Sequence, residues 1–333
     1  MGSLNPIFIT DIAGFSFGHT TDREAATGCT VIVAAEGATG GVDVRGGAPA
    51  SRETDLLRPE NTVEQVHAVC LSGGSAFGLE AASGVARELE ARGIGLDVGP
   101  TRVPIVCSSC LFDLAFGDAH TRPGLDAGIA AVRAALDGDG YPLEEGSVGA
   151  GTGATVGKLL GAERAMKGGL GARAYELGAL RVGAVAAVNA CGNVVDPRTL
   201  APIAGARDAA DGSTIVDIEE GMLASGAGLA MPLDRTNTTI SCIVTNARLT
   251  KAQATKVAQI AADAYAHVIR PTHTTNDGDT IYVLASGTIG DDAPDYPLDL
   301  IALVATRALE AALVAGCTEA EGLHGLPAHR DLS

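Results

Sequence analysis

Tryptophan is absent from the chain, and aromatic residues supply only 3% of its 333 positions. Large rings therefore cannot fill the core, and small side chains have to do the packing. Basic charge is short as well: 23 Lys and Arg stand against 40 Asp and Glu, for a net charge of −17. Phosphate backbones are bound through a basic footprint that releases counterions. This balance argues against nucleic acid, and against an anionic membrane surface, as a partner. A disulfide framework is missing too. The seven cysteines, Cys29, Cys70, Cys107, Cys110, Cys191, Cys242 and Cys317, are odd in number and scattered, unlike the dense pairs of a small secreted domain. Cys107-Ser-Ser-Cys110 has redox or zinc spacing, but no second pair or histidine cluster accompanies it, and it reads as buried small side chains. No basic-then-apolar leader opens the chain. Pro6 stands where an N-myristoylation motif wants Ser or Thr. No apolar run approaches the ~20 residues of a membrane span. The expected location is cytoplasmic.

What the chain has in surplus is glycine, 44 residues, and alanine, within an apolar fraction of 46%. Small side chains let helices lie close on sheets, which predicts layered packing. Residues 29–35 read as a buried strand, followed by a Gly-rich loop over 36–55. A helix is expected from about Ser75, with Leu79, Ala82, Val85, Ala86 and Leu89 on one face and Gly93 as its stop, and another from Pro123 to Leu136. Residues 181–189 and 238–246 read as strands; in the second, Thr238, Ile240, Cys242 and Val244 alternate against Thr239, Ser241, Ile243 and Thr245. An amphipathic helix over 250–269, a strand over 280–285 and a helix over 298–315 ending at Gly316 complete the pattern. Strands and helices mix throughout without linker or repeat, which favours one domain over 1–333.

The richest segment for chemistry is Arg235-Thr-Asn-Thr-Thr-Ile-Ser-Cys-Ile-Val-Thr-Asn246. A threonine hydroxyl needs a base beside it to act as a nucleophile. Breaking the Asn237–Thr238 bond would supply one, the α-amine of Thr238, whose unperturbed pKa of about 7.7–8.0 leaves a neutral fraction near pH 7. The plain alternative is β-propensity at a strand start; Asn237-Thr-Thr is also a glycosylation sequon, relevant only to a secreted protein. Downstream, Asp277 and Asp279 of His273-Thr-Thr-Asn-Asp-Gly-Asp-Thr280 are either an Asp-Gly turn or two carboxylates that orient the amine and move protons. A calcium loop would need ligands that are missing. In Gly149-Ala-Gly-Thr-Gly-Ala-Thr-Val-Gly-Lys158, Gly149, Gly151 and Ala154 fit a loose dinucleotide pattern, but residues 141–147 make a poor preceding strand, and the P-loop fails at Thr152 and Leu159. Lys158 is a positioned cation or a surface lysine. Asn189, ending an apolar strand, is an oxyanion donor or a cap for the turn before Gly192.

Together these segments resemble the DmpA-type aminopeptidase family, and within it the nylon-oligomer (6-aminohexanoate oligomer) endo-hydrolases. The resemblance runs through Ile9-Thr-Asp-Ile12, Gly28-Cys-Thr-Val31, Asp43-Val-Arg-Gly-Gly-Ala-Pro49, Arg52-Glu-Thr-Asp55 and Leu71-Ser-Gly-Gly-Ser-Ala-Phe-Gly-Leu-Glu-Ala81. It continues through the Gly149–Lys158 stretch, Asn237-Thr-Thr-Ile-Ser241 and the His273–Thr280 loop. It implies an α+β fold, a four-layer α-β-β-α sandwich like that of N-terminal-nucleophile hydrolases but connected differently. It also implies self-cleavage into 1–237 and 238–333. The family's nucleophile falls on Thr238, its lysine on Lys158, its oxyanion asparagine on Asn189 and its acids on Asp277 and Asp279. A small amide or peptide-like substrate, a homotetramer of processed protomers and no metal or organic cofactor are the matching expectations. Phe77 departs from a tyrosine often found there. Two rivals remain: acyl transfer to an amine, as in ornithine acetyltransferases, and a non-catalytic nucleotide- or ligand-binding module on the 149–158 loop.

Overall fold

The computed structural model describes residues 4–138, 142–226 and 237–332. Met1 to Ser3, Tyr141 of the segment before the Gly-rich stretch, and Arg235 and Thr236 lie outside the described residues. In chain order the elements that frame the site are strands β1 (Ser16–Asp22), β2 (Thr27–Val44) and β3 (Val66–Ser72), helix α1 (Glu80–Ala91), strand β4 (Val106–Cys110) and helix α2 (Leu125–Asp137). Strands β5 (Leu170–Leu177), β6 (Leu180–Ala187) and β7 (Ile240–Thr245), helices α3 (Lys251–Ala261) and α4 (Asp263–Val268), strand β8 (Thr280–Ala285) and helix α5 (Leu298–Thr318) follow.

The 18 residues of β2 serve two sheets. Its first half pairs antiparallel with β1 and with β3, and β4 continues parallel to β3. Its second half, Thr39–Val44, pairs antiparallel with β8. A register shift between Val33 and Ala38 marks where the strand changes sheet, as bulges commonly do at such corners. From β8 the second sheet runs through parallel β7 to antiparallel β6 and β5. The chain after residue 237 thus contributes two inner strands of a sheet whose flanking strands come from before it.

Side-chain alternation sorts the residues into three apolar layers. Ile32, Leu71 and Cys107 of one sheet meet Val185, Ile240, Cys242 and Val244 of the other between the sheets. Ile243 and Ile281, on the opposite face, pack under Val257, Tyr265, Ala305 and Leu309 of α3, α4 and α5. Val31 and Cys70 pack under Val85, Leu89 and Val132 of α1 and α2. The order is helix, sheet, sheet, helix, as the resemblance implied. All seven cysteines are buried and free. Cys107 and Cys110, three apart on one strand, face opposite ways, so they form no CxxC site.

Glycine misled the boundaries. The stretch read as a loop from residue 36 continues as β2 to Val44, and α5 passes through Gly316 to Thr318. In both places glycine permits close approach and does not break the element. A Cβ on Gly41 would come within 2.4 Å of the α3 backbone, and one on Gly316 within 2.7 Å of Val188. Two other boundaries also differ. A 3₁₀ turn, Ser75–Leu79, precedes α1, and the helix expected over 250–269 divides at Ala262 into α3 and α4. Against the expectation from sequence, α5 is long and apolar enough by length and composition to cross a membrane, with mean hydropathy 1.8, but 72% of that stretch is buried inside the protein. It is a core helix of the outer layer.

Candidate active site

Thr238 sits two residues before β7, and Asn237, Thr238 and Thr239 are all buried. Three hydrogen bonds fix Thr238. Its N–H donates to the Asn189 carbonyl at 2.9 Å. The Gly278 N–H donates to its Oγ1 at 3.2 Å, and its hydroxyl donates to the carbonyl of Asn237, the residue before it. The hydroxyl oxygen is therefore held beside the carbonyl of the peptide bond it would have to attack. The parallel β7–β8 register, Ile240 opposite Thr280, brings the His273–Thr280 loop alongside Thr238.

Asn189 leaves the end of β6 fully buried and joins three parts of the chain. Its Oδ1 accepts from the Thr155 N–H at 3.0 Å and from Lys158 Nζ at 2.7 Å. Its Nδ2 donates to the Phe112 carbonyl at 2.9 Å, and its main-chain oxygen takes both the Thr238 N–H and Lys158 Nζ. This amide ties separate segments together, which a cap for its own turn would not do. Lys158 shows part of its stem while its ammonium lies among these acceptors. Burial pushes its pKa down to about 7, against the opposing pull of Cys191, Asp277 and Asp113.

The two acids are both 2% exposed and have different surroundings. Asp279 takes the Thr239 N–H on Oδ1 at 2.8 Å, and on Oδ2 the His273 N–H at 3.2 Å and His273 Nδ1 at 2.8 Å. Asp277 accepts the Thr274 N–H at 2.6 Å, with the Cys191 thiol 3.9 Å away. Burial, reinforced by Asp279, pushes Asp277 up to about 6. Asp279 thus bonds to the residue after Thr238 and Asp277 to Thr274 and Cys191; the Thr238 N–H itself goes to Asn189. The loop is also a turn, with the Asp277 N–H on the Thr274 carbonyl. The Arg45–Ala48 segment clamps it, with the Arg45 N–H on the Asp279 carbonyl and the Ala48 N–H on that of Asp277.

A cavity of about 360 Å³ opens on this cluster, with Lys158, Asn237 and Asn276 at one side and Phe112, Phe116 and Leu326 among its apolar walls. The sequence picked out neither phenylalanine, and it read Tyr265 only as part of the apolar stripe of the 250–269 helix and His273 only as the first residue of the acidic loop. Of these only His273 carried a signal, its place in a motif with two aspartates. Nor did it pick out Lys167, fully buried with Nζ on the Thr152 and Ala154 carbonyls, its pKa lowered to about 7 by burial. The 149–158 stretch does not form a phosphate loop. Residues 149–157 are buried, and the N–H groups of Gly149 and Ala150 are already bound to Thr21 and Thr30 hydroxyls. Phe77 lies on the surface, 58% exposed, with the Arg122 guanidinium 3.8 Å above its ring.

The model of peptidase family S58 matches residues 8–330. An uncharacterised aminopeptidase of Mycobacterium leprae is 39% identical over 96% of this chain and 92% of its own. The 6-aminohexanoate-oligomer endohydrolase of Paenarthrobacter ureafaciens is 32% identical over 86% of this chain and 76% of its own. Among solved structures, the L-aminopeptidase D-Ala-esterase/amidase of Ochrobactrum anthropi, described as a variant of the N-terminal-nucleophile hydrolase fold, superposes with a TM-score of 0.68 at 21% identity, over 98% of this chain and 90% of its own. A Burkholderia sp. beta-aminopeptidase gives 0.67 at 20% identity, over 100% and 94%.

Proposed function

The chain belongs to peptidase family S58 and is a peptide or amide hydrolase on an N-terminal-nucleophile fold, and from that premise we propose that Thr238 is its nucleophile, released by self-cleavage of the Asn237–Thr238 bond. In maturation Thr238 Oγ1 attacks the Asn237 carbonyl, the C–N bond breaks as the nitrogen takes a proton, and Asn237 becomes an ester on Oγ1. Water hydrolyses that ester, leaving a carboxylate on Asn237 and a free amine on Thr238. In catalysis the amine takes the Oγ1 proton, Oγ1 attacks the substrate carbonyl, and the leaving amine departs with a proton. Water then frees the acyl product.

The observation that carries this reading is the trio of bonds on Thr238, to Asn189, Gly278 and its own preceding carbonyl. A hydroxyl already held beside the carbonyl it would attack loses little further freedom on the way to the transition state. Lys158, its pKa near 7, exchanges protons at neutral pH. Asn189 and main-chain N–H groups hold the oxyanion, and Asp277 and Asp279 orient the new terminus. The apolar walls of the cavity suit a linear amide with an apolar stretch beside the scissile bond, in keeping with the aminohexanoate oligomers in the name of one relative. One domain over 1–333, cut into 1–237 and 238–333, and a cytoplasmic homotetramer of such protomers belong to the same proposal. Intact mass under denaturing conditions tests its centre: the wild type gives the two pieces and Thr238→Ala stays whole. A Thr238→Ala chain that still splits at this bond refutes it.

A further inference from the structure

His273 stands behind the acid pair with no part in the scheme above, yet the fold takes unusual measures to keep it there. Its φ is 55°, in the left-handed region that non-glycine residues seldom enter and that clusters where local geometry is functional. Its ring stacks on Tyr265 with centroids 5.3 Å apart and planes 22° from parallel. Its Nε2 is buried without a hydrogen-bond partner among the described residues, an arrangement packing alone would not select. What these costs secure is the other nitrogen: Nδ1 donates to Asp279 Oδ2 at 2.8 Å, beside the His273 N–H at 3.2 Å.

The other oxygen of Asp279 holds the Thr239 N–H at 2.8 Å. The carbonyl of Thr239 is held in turn by the Tyr265 hydroxyl at 3.2 Å and the Thr280 N–H at 3.3 Å. The peptide plane between Thr238 and Thr239 therefore hangs from Asp279, while Tyr265, on which His273 stacks, holds the next plane, between Thr239 and Ile240. If the Asp279 carboxylate turns, the first plane turns, and Thr238 Oγ1 moves with it.

We propose that His273 is a positioning residue for Thr238, acting through its Nδ1–H on Asp279. This rests on the Thr238 reading above. Two substitutions separate positioning from packing. His273→Phe keeps a ring on Tyr265 and removes the donor. His273→Asn removes the stack, retains an N–H near the Nδ1 position, and tolerates the left-handed backbone. The rate of conversion of cell-free-translated 1–333 chain into its two pieces needs no knowledge of the substrate. His273→Phe should slow it about 10–100-fold, the loss expected for a nucleophile misplaced by up to an ångström. His273→Asn should stay within about 3-fold of wild type by restoring the hydrogen bond. A His273→Phe chain as fast as wild type, or a His273→Asn chain as slow as His273→Phe, overturns the proposal while leaving Thr238 in place. A wild-type chain that never splits overturns both.

Discussion

The burial that would make Lys158 a useful proton carrier should also make it costly to the fold. Its ordinary pKa of 10.5 falls to about 7, chiefly because the ammonium is buried. At about 1.36 kcal/mol per pH unit, that sets on the order of 5 kcal/mol against the charged form in the folded chain. Lys158→Met keeps the stem and removes the charge. Neither acceptor on Asn189 is stranded, because Oδ1 keeps the Thr155 N–H and the main-chain oxygen keeps the Thr238 N–H. The two hydrogen bonds of the neutral amine, each about 0.5–1.5 kcal/mol, offset about 1–3 kcal/mol of this, leaving the Met chain at least about 2 kcal/mol more stable at low pH. For a chain of this size that is a rise in Tm of about 4 °C. The pH dependence has a definite sign. Below pH 7 the lysine is protonated folded and unfolded, and the penalty is complete. Between 7 and 10.5 only the unfolded chain holds the proton, so the lysine chain gains stability as pH rises and the gap closes. Thermal unfolding of the two chains at about pH 6, 8 and 10 reads this directly, both carrying Thr238→Ala so that both stay whole. A Met chain less stable than the Lys chain at the lowest pH, or a gap that fails to narrow, refutes the reasoning. On the unmodified Thr238 background the same substitution should slow self-cleavage about 10²–10⁴-fold, the range of one acid–base group.

Two further substitutions probe the loop after His273. A Cβ on Gly278 would lie 2.7 Å from Thr238 Oγ1 and 3.2 Å from its Cγ2, so Gly278→Ala should push the nucleophile aside by some tenths of an ångström and slow self-cleavage about 10-fold, given the steep cost of misplacement; unchanged kinetics by intact mass would mean that Oγ1 is not the reacting atom. Asp277, raised to about 6 by burial and by Asp279, takes up its proton as pH falls through that value, so the cleavage rate should drop there in the wild type. Asp277→Asn should lose the step near 6 in a pH–rate profile and keep the one near 7 that Lys158 sets; finding the step near 6 intact would assign it to another group.

The period-2 pattern of residues 238–246 placed β7 and the orientation of its side chains correctly, because successive side chains of a strand point to opposite faces: Ile240, Cys242 and Val244 to the core between the sheets, Ile243 to the helix layer. Short apolar runs marked β6 and β8, and the 3.6-residue period marked the apolar stripes of the helices. Glycine taken as punctuation was right after α1, where Gly93 takes a φ of 71° just past the helix end, and wrong at two other places. At Gly41 and Gly316 the absent side chain admits a neighbouring helix or strand, and that neighbour lies far away in sequence.

The alternation of strands and helices and the small-residue packing that layers them were legible in the sequence, and the resemblance it carries singled out Thr238, Lys158, Asn189, Asp277 and Asp279 as candidates for the chemistry proposed above. Local periodicity and side-chain chemistry are properties of short stretches, so they can be read in order along the chain. How those groups are wired is a matter of long-range contacts: Asn189 takes the Thr238 N–H, Asp279 holds Thr239 from 40 residues away, Asn189 reaches Phe112 across 77, and His273 bonds to Asp279. Hydrogen-bond partners, burial and the pKa displacements that follow from them arise where distant segments meet, and no local pattern encodes which segments those are.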